Sequence, residues 1–190
     1  MTSKTTPEDL EYLHFMLLIE VAVYLEVPLY QIREKNLPVR MLYELVSRAA
    51  KITRGTSTRL LVNDRFDVAR AAGADGVHLA ETSLPPRVVR EMCGEEFVVG
   101  VSTHSLESAC AARDGGADFV VFGPVFETES KRAYGPPQGL EKLHEVATAL
   151  QDFPVLAIGG VTIDNAERCF EVGASGFAGI SWFNRPGSNA

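Results

Sequence analysis

Cysteine is scarce and scattered. Cys93, Cys110 and Cys169 are the three among 190 residues, and no two form a C-x-x-C pair. That spacing argues against a disulfide framework and against a cysteine-ligated zinc site. With no secretory leader read in the sequence, a reducing cytoplasm is the expected compartment. Positive charge is also short, with 18 Lys and Arg against 25 Asp and Glu for a net charge of −7. Such a balance argues against a nucleic-acid or membrane-surface binder, while leaving room for a local basic pocket that holds a phosphate. A long hydrophobic run is missing too. The longest, residues 15–27, is broken by Glu20 and Glu26 and cannot span a bilayer. The remainder, 46% hydrophobic and 23% charged, is enough to build one soluble domain over residues 1–190 without a disulfide or structural metal.

Short apolar runs rich in Val, Ile and Leu recur at 28–33, 59–62, 76–79, 97–101, 119–125, 155–158 and 176–180. Stretches of helical period lie between them, among others 39–50, 106–113, 140–150 and 164–172. This alternation predicts βα units and a parallel sheet buried on both faces. A weak internal repeat, Gly73-Ala-Asp, Gly116-Ala-Asp and Gly173-Ala-Ser, precedes three of the runs. Its glycine suits the left-handed residue that closes a helix. Repetition of one αβ joint predicts a barrel of similar units, of the TIM type. Seven strands are readable where a closed barrel has eight. The segment 1–27 is atypical, since 10–27 reads as one helix and Thr5-Thr-Pro-Glu-Asp9 reads as a helix start. The first strand is therefore expected to be missing or altered, and a closing C-terminal helix to be absent. Because 10–27 is apolar on more than one face, the helix is expected to cover the barrel seam or pack on a second copy, as in a homodimer.

Active sites of such barrels lie at the carboxyl ends of the strands. The polar residues there are Gln31, Arg33 and Lys35; Asn63 and Asp64; His78 and Glu81; Ser102 and His104; Thr128, Ser130 and Lys131; Gly159 and Gly160; and Ser181. Cations, hydroxyls and bare glycine backbone together suit phosphate oxygens. Arg33 can bind them bidentately, the lysines act as point charges, and Gly N–H groups approach closely. Asp64 is a natural magnesium ligand beside a pyrophosphate. His14 and His144 fall within helical stretches and read as helix-face residues. Cys110 and Cys169 read as core or half-buried thiols, and Trp182-Phe183 as a cover for the barrel end or a subunit contact.

At these same residues the sequence resembles the thiamine phosphate synthase family, which also includes the thiazole tautomerases. The resemblance rests on PLYQIREK at 28–35, LVNDRFDVA at 61–69, GADGVHL at 73–79, GVSTHSLE at 100–107, GADFVVFGPVFETESK at 116–131 and PVLAIGGVT at 154–162. It implies a TIM-type barrel that joins an aminopyrimidine methyl pyrophosphate to a thiazole phosphate, forming thiamine phosphate and releasing pyrophosphate. It implies that Gln31, Arg33, Lys35, Asn63 and Lys131 bind the pyrimidine pyrophosphate, that Asp64 holds magnesium and that Ser102 lies near the pyrimidine. Thr128 and Ser130, with Gly160 and Ser181, would hold the thiazole phosphate. Lys131, Arg33 and Ser102 are the residues expected to carry catalysis, through positioning and electrostatics.

Two departures stand out. The family's synthases usually follow the His of the third strand with G-Q-x-D, whose Asp is a second magnesium ligand. Here Ser83 takes the place of that Asp and Glu81 that of the Gln, so a weakened magnesium site is expected. Glu127 leans toward the tautomerase branch, yet Pro124 stands where the tautomerase's proposed proton-transfer His would be. The alternatives to a synthase are thus a thiazole tautomerase, with His104 or Glu127 moving the proton, or a non-catalytic relative that binds phosphate ligands.

Overall fold

A computed structural model describes residues 7–128 and 136–179. Its elements alternate strictly after the first helix: α1 (Pro7–Tyr24), β1 (Leu29–Ile32), α2 (Val39–Thr53), β2 (Arg59–Asn63), α3 (Phe66–Ala72), β3 (Gly76–Leu79), α4 (Pro86–Cys93), β4 (Val98–Thr103), α5 (Leu106–Asp114), β5 (Phe119–Phe122), α6 (Gly139–Ala149), β6 (Val155–Ile158), α7 (Ala166–Glu171) and β7 (Gly176–Ala178). The chain divides into two compact units, the boundary falling inside β3 between Val77 and His78.

In the first unit β1 runs parallel to β2, with Gln31 opposite Leu61 and Ile32 opposite Val62. The core beneath is aliphatic. Leu60, Leu61 and Val62 from β2 are buried with Ile32, with Leu42, Leu45, Val46, Ala49 and Ala50 from α2, and with Val68 and Ala69 from α3. Helix α1 starts at Pro7, so residues 7–9 are helical and give no first strand; residues 1–6 lie outside the described part. Ile19 and Ala22 of α1 are fully buried, while Leu13, Leu17, Val21 and Tyr24 are exposed.

In the second unit β4, β5, β6 and β7 run parallel in that order. One face alternates as Val99, Val101 and Thr103 on β4, Val120 and Phe122 on β5, and Val155 and Ala157 on β6, all buried. Gly100 and Ser102 of β4 share the opposite face with Phe119 and Val121 of β5, which they oppose in register. Glycine is required at position 100, because a Cβ there would lie 2.2 Å from the Phe119 ring.

The repeat seen in the sequence has a structural cause. Gly73, Gly116 and Gly173 all adopt positive φ, at 77°, 88° and 99°. Two residues on, the polar side chain returns to a preceding strand: Asp75 accepts from Leu60 N–H, Asp118 from Val99 N–H and Ser175 from Val155 N–H. The backbone N–H of each donates to the carbonyl of the same strand residue. Each joint thereby fixes both its own turn and the start of a strand two elements earlier.

Several boundaries differ from the sequence reading. Strand β4 extends past 101 to Thr103, β5 stops at Phe122 rather than 125, and α1 ends at Tyr24 rather than 27. The early end of β5 follows from Pro124, which has no N–H to give a ladder. Val125 and Phe126 nonetheless donate to the carbonyls of Ile158 and Gly159, so the segment keeps its place beside β6.

Candidate functional site

Within the first unit, the ends of β1 and β2 bring together three of the residues singled out from sequence. Asn63 closes β2, and its Oδ1 accepts from both Gln31 Nε2 and Arg33 Nε, each at 3.2 Å. Gln31 and Arg33 share one face because strand side chains alternate, and Ile32 between them is fully buried on the other. Among the described residues no carboxylate pairs with Arg33 or with Lys35, although five Arg residues elsewhere do form ion pairs with Asp or Glu. Two unneutralised cations therefore stand at one strand end of a chain whose net charge is negative. Asp64 follows directly with φ +63°, a left-handed turn residue at the mouth of β2. Its neighbour Arg65 grips Asp67 through two bonds of 2.8 and 2.6 Å, which hold the Asp67 carboxyl below its usual range.

Within the second unit the polar ends of β3 and β4 are joined twice. His78, 7% exposed, places Nε2 2.8 Å from Ser102 Oγ and lies tilted against Phe119 at 5.9 Å between ring centres. One step outward, Glu81 accepts from His104 Nδ1 at 2.5 Å. Ser105, the next residue, caps α5 by accepting from Ser108 N–H, so His104 stands at the exact change from strand to helix entry. Ser83 turns inward: its Oγ accepts from Ala80 N–H at 2.9 Å while its own N–H donates to Ala80 O.

The glycines after β6 form a third group. Gly159 and Gly160 have φ of +90° and +66°, and a Cβ on either would come within 2.7 Å of the segment 124–127. Asn165 braces this loop, donating to Gly160 O at 2.9 Å and accepting from Thr162 N–H at 2.8 Å. Sequence reading passed over Asn165, because an Asn before a short helix has the ordinary look of a turn residue. Thr128 is half-buried at the end of the described part of the β5–α6 loop. Ser130, Lys131, Ser181 and Trp182-Phe183 lie outside the described residues. The ends of that loop are fastened, Gln138 N–H to Pro124 O and Gly139 N–H to Val125 O.

The donor set was tested for magnesium. No group of three or more His, Cys, Asp and Glu side chains gathers among the described residues. Glu81 is committed to His104 and Ser83 Oγ to its own turn. Ser83 brings a hydroxyl where the expected second magnesium ligand is a carboxylate, so of that expected pair the sequence supplies Asp64 alone. His144 Nδ1 meets Val172 O and Cys169 is buried, so both serve the fold as expected.

Comparison with known proteins shows the family and the fold. A family model described as thiamine monophosphate synthase matches residues 5–183. A thiamine-phosphate synthase of Chlorobium phaeovibrioides is 42% identical over 155 residues, covering 82% of this chain and 74% of that one. Another, from Moorella thermoacetica, is 40% identical over 80% of this chain and 71% of its own. A solved thiamine phosphate pyrophosphorylase from Pyrococcus furiosus superposes with a TM-score of 0.76 at 34% identity, over 90% of this chain and 79% of that one. The alternating parallel βα pattern is thus the TIM-like fold expected from sequence.

Proposed function

We propose that this chain, which belongs to the thiamine monophosphate synthase family, is a transferase of thiamine biosynthesis that couples an aminopyrimidine methyl pyrophosphate to a thiazole phosphate. The bond between the pyrimidine methylene and the pyrophosphate oxygen breaks, and a bond from that carbon to the thiazole nitrogen forms. The leaving electron pair departs with pyrophosphate, so the protein's part is to orient the two reactants and stabilise the charge that develops on the leaving group.

The observation that carries this reading is the Gln31–Arg33–Asn63 cluster with Lys35 beside it. Asn63 holds the Arg33 guanidinium through Nε, and no carboxylate among the described residues neutralises either cation. A guanidinium fixed at one edge is prepared for a phosphate at the other. Ser102, held by His78, is assigned to the pyrimidine. Thr128, Ser130, Gly160 and Ser181 are assigned to the thiazole phosphate, and Lys131 joins Arg33 on the pyrophosphate. Magnesium has one carboxylate, Asp64, and is assigned no step. The isomerase alternative would have to move its proton through Glu127 or through His104, which is bonded to Glu81, since Pro124 stands where the tautomerase's proposed His would be.

A reducing cytoplasm suits the three free thiols. No helix among the described residues is long and apolar enough to cross a membrane. A homodimer through α1 is supported by the exposed stripe Leu13, Leu17, Val21 and Tyr24, which recurs at helical spacing.

Incubation with both substrates, with and without magnesium, tests the reaction directly. Thiamine phosphate and pyrophosphate should form in equal amounts. Release of neither product under both conditions would sink the synthase reading.

A further inference from the structure

The loop that follows β3 is fastened by hydrogen bonds within itself and to the end of β4. Ala80 and Ser83 close on each other through two hydrogen bonds, 2.9 and 3.0 Å long. Glu81 then crosses to His104 at 2.5 Å, just beyond the end of β4. Beneath it, His78 reaches Ser102 at 2.8 Å. The two cross-links leave β3 and its loop at residues 78 and 81 and meet β4 and its end at 102 and 104. They form two rungs of a ladder between side chains at adjacent strand ends.

The upper rung has a second physical consequence. A carboxylate can only accept, so the His104 Nδ1–H donates to it, and the tautomer and ring orientation of His104 are fixed. An unpaired Glu81 would leave a bare negative charge just past the end of β3. Paired with His104, it is spent inside the protein. Both side chains are more than a third exposed, His104 at 46% and Glu81 at 36%, so the pair is a surface clasp rather than a piece of the core.

We propose that Glu81 and His104 are positioning residues whose clasp holds the β3–α4 loop and the Ser102 rim in their working arrangement without a divalent metal. This deepens the synthase reading, on which its pyrophosphate part rests. The clasp engages the one carboxylate of residues 80–83 through its Oε2, and the hydroxyl at 83 accepts from Ala80 N–H, so both side chains already have protein partners.

The test uses the intact chain, wild type and the variants E81Q, E81A and H104A. Amide hydrogen exchange of residues 80–84 reads the loop, and titration with inorganic pyrophosphate, in magnesium and in a chelator, reads the site. Gln at 81 keeps an oxygen for His104, so E81Q should behave as wild type in exchange. E81A and H104A should exchange these amides about three- to tenfold faster and lose a similar factor in pyrophosphate affinity in chelator, as expected for one half-exposed charged contact. Their thermal midpoints should stay near that of wild type, since neither side chain is in the core. Wild-type affinity should change less than about threefold between magnesium and chelator, because the clasp holds the loop without the ion.

Unchanged loop exchange in both E81A and H104A would overturn the clasp. Wild-type binding of pyrophosphate in magnesium alone would overturn its metal independence. If pyrophosphate binds wild type under neither condition, the ligand reading of the site fails, while the exchange difference still decides the clasp.

Discussion

Tyr30 carries a perturbed phenol. It lies between Leu29 and Gln31 on β1, and burial pushes its phenol up to about 12. Desolvation raises the folded-state value above the ordinary 10, so the folded protein holds this proton more tightly than the unfolded chain. The resulting stability is fully present below pH 10 and is lost as pH rises from about 10 towards 12. Ultraviolet titration should show the Tyr30 phenol ionising late, and Tyr30→Phe should flatten the fall in stability over that window. A variant that still loses stability as steeply would assign the effect elsewhere. Thiol chemistry offers a second check at this scale. Burial raises the Cys169 thiol and covers it, whereas Cys93 and Cys110 are partly accessible. A thiol reagent should therefore modify Cys93 and Cys110 first, with Cys169 reacting on unfolding. Arg33→Ala should weaken pyrophosphate-bearing ligands by about tenfold or more, the scale of one lost charged hydrogen-bond partner, with much less effect on a dephosphorylated pyrimidine. Equal losses on both ligands would remove Arg33 from the anion site.

Among the elements, the second unit is braced by a half-buried cation. Arg90 on α4, 12% exposed, donates to the carbonyls of Gly94, Glu95, Phe97 and Gly116 and to Asp118 Oδ2. It thus ties the end of α4, the approach to β4 and the α5–β5 joint into one network. Asp118 uses the same carboxylate oxygen on Val99 N–H. Arg90→Ala should cost about 2–4 kcal/mol, because several carbonyls and a carboxylate lose their donor together. Arg90→Lys should recover little, since an ammonium cannot fork as a guanidinium does. Chemical denaturation measures both. The Gly159–Gly160 turn gives a prediction of another kind. A Cβ at 160 would lie 2.7 Å from Glu127 O and Phe126 Cβ at a φ of +66°, so Gly160→Ala must displace the segment after β5. Affinity for the thiazole phosphate should fall further than stability does, and a calorimetric titration alongside a thermal melt separates the two.

For the molecule as a whole, the open question is what covers α1. Ile19 and Ala22 bury one side, yet Leu17 is 55% exposed and Tyr24 85%. A helix apolar around its circumference ordinarily buries more than one face. The homodimer reading makes a plain forecast: sedimentation across a dilution series should show reversible self-association, and Leu17→Glu should abolish it while the circular dichroism of the fold stays intact. A wild-type chain that sediments as a monomer at every concentration would end that reading.

How far the sequence reached differs between these scales. Element type followed the period of the apolar residues closely: 76–79 and 155–158 are legible as strands to the residue, because each is a short, mostly apolar run bounded by turn residues. Boundaries slipped where a local backbone feature intervened, as at Pro124 after β5. The helices α3 and α4 are short and were not separately named, since seven or eight residues carry barely two turns of periodicity. Residue identity was enough to place Gln31, Arg33 and Asn63 at strand ends, but not to reveal that one Asn oxygen holds the other two.

The sequence by itself determined the parallel βα order, the left-handed glycine joints, the family and the set of polar strand ends. All of these are local: they depend on spacing along the chain and on what each residue type can adopt. The tertiary structure alone decided the partners. It turned Ser83 into its own turn, gave Glu81 to His104 and His78 to Ser102, and left Arg33 and Lys35 without a neutralising carboxylate among the described residues. The Glu81–His104 and His78–Ser102 pairings join positions more than twenty residues apart, and spacing in a sequence does not encode which of several nearby acceptors a donor will meet.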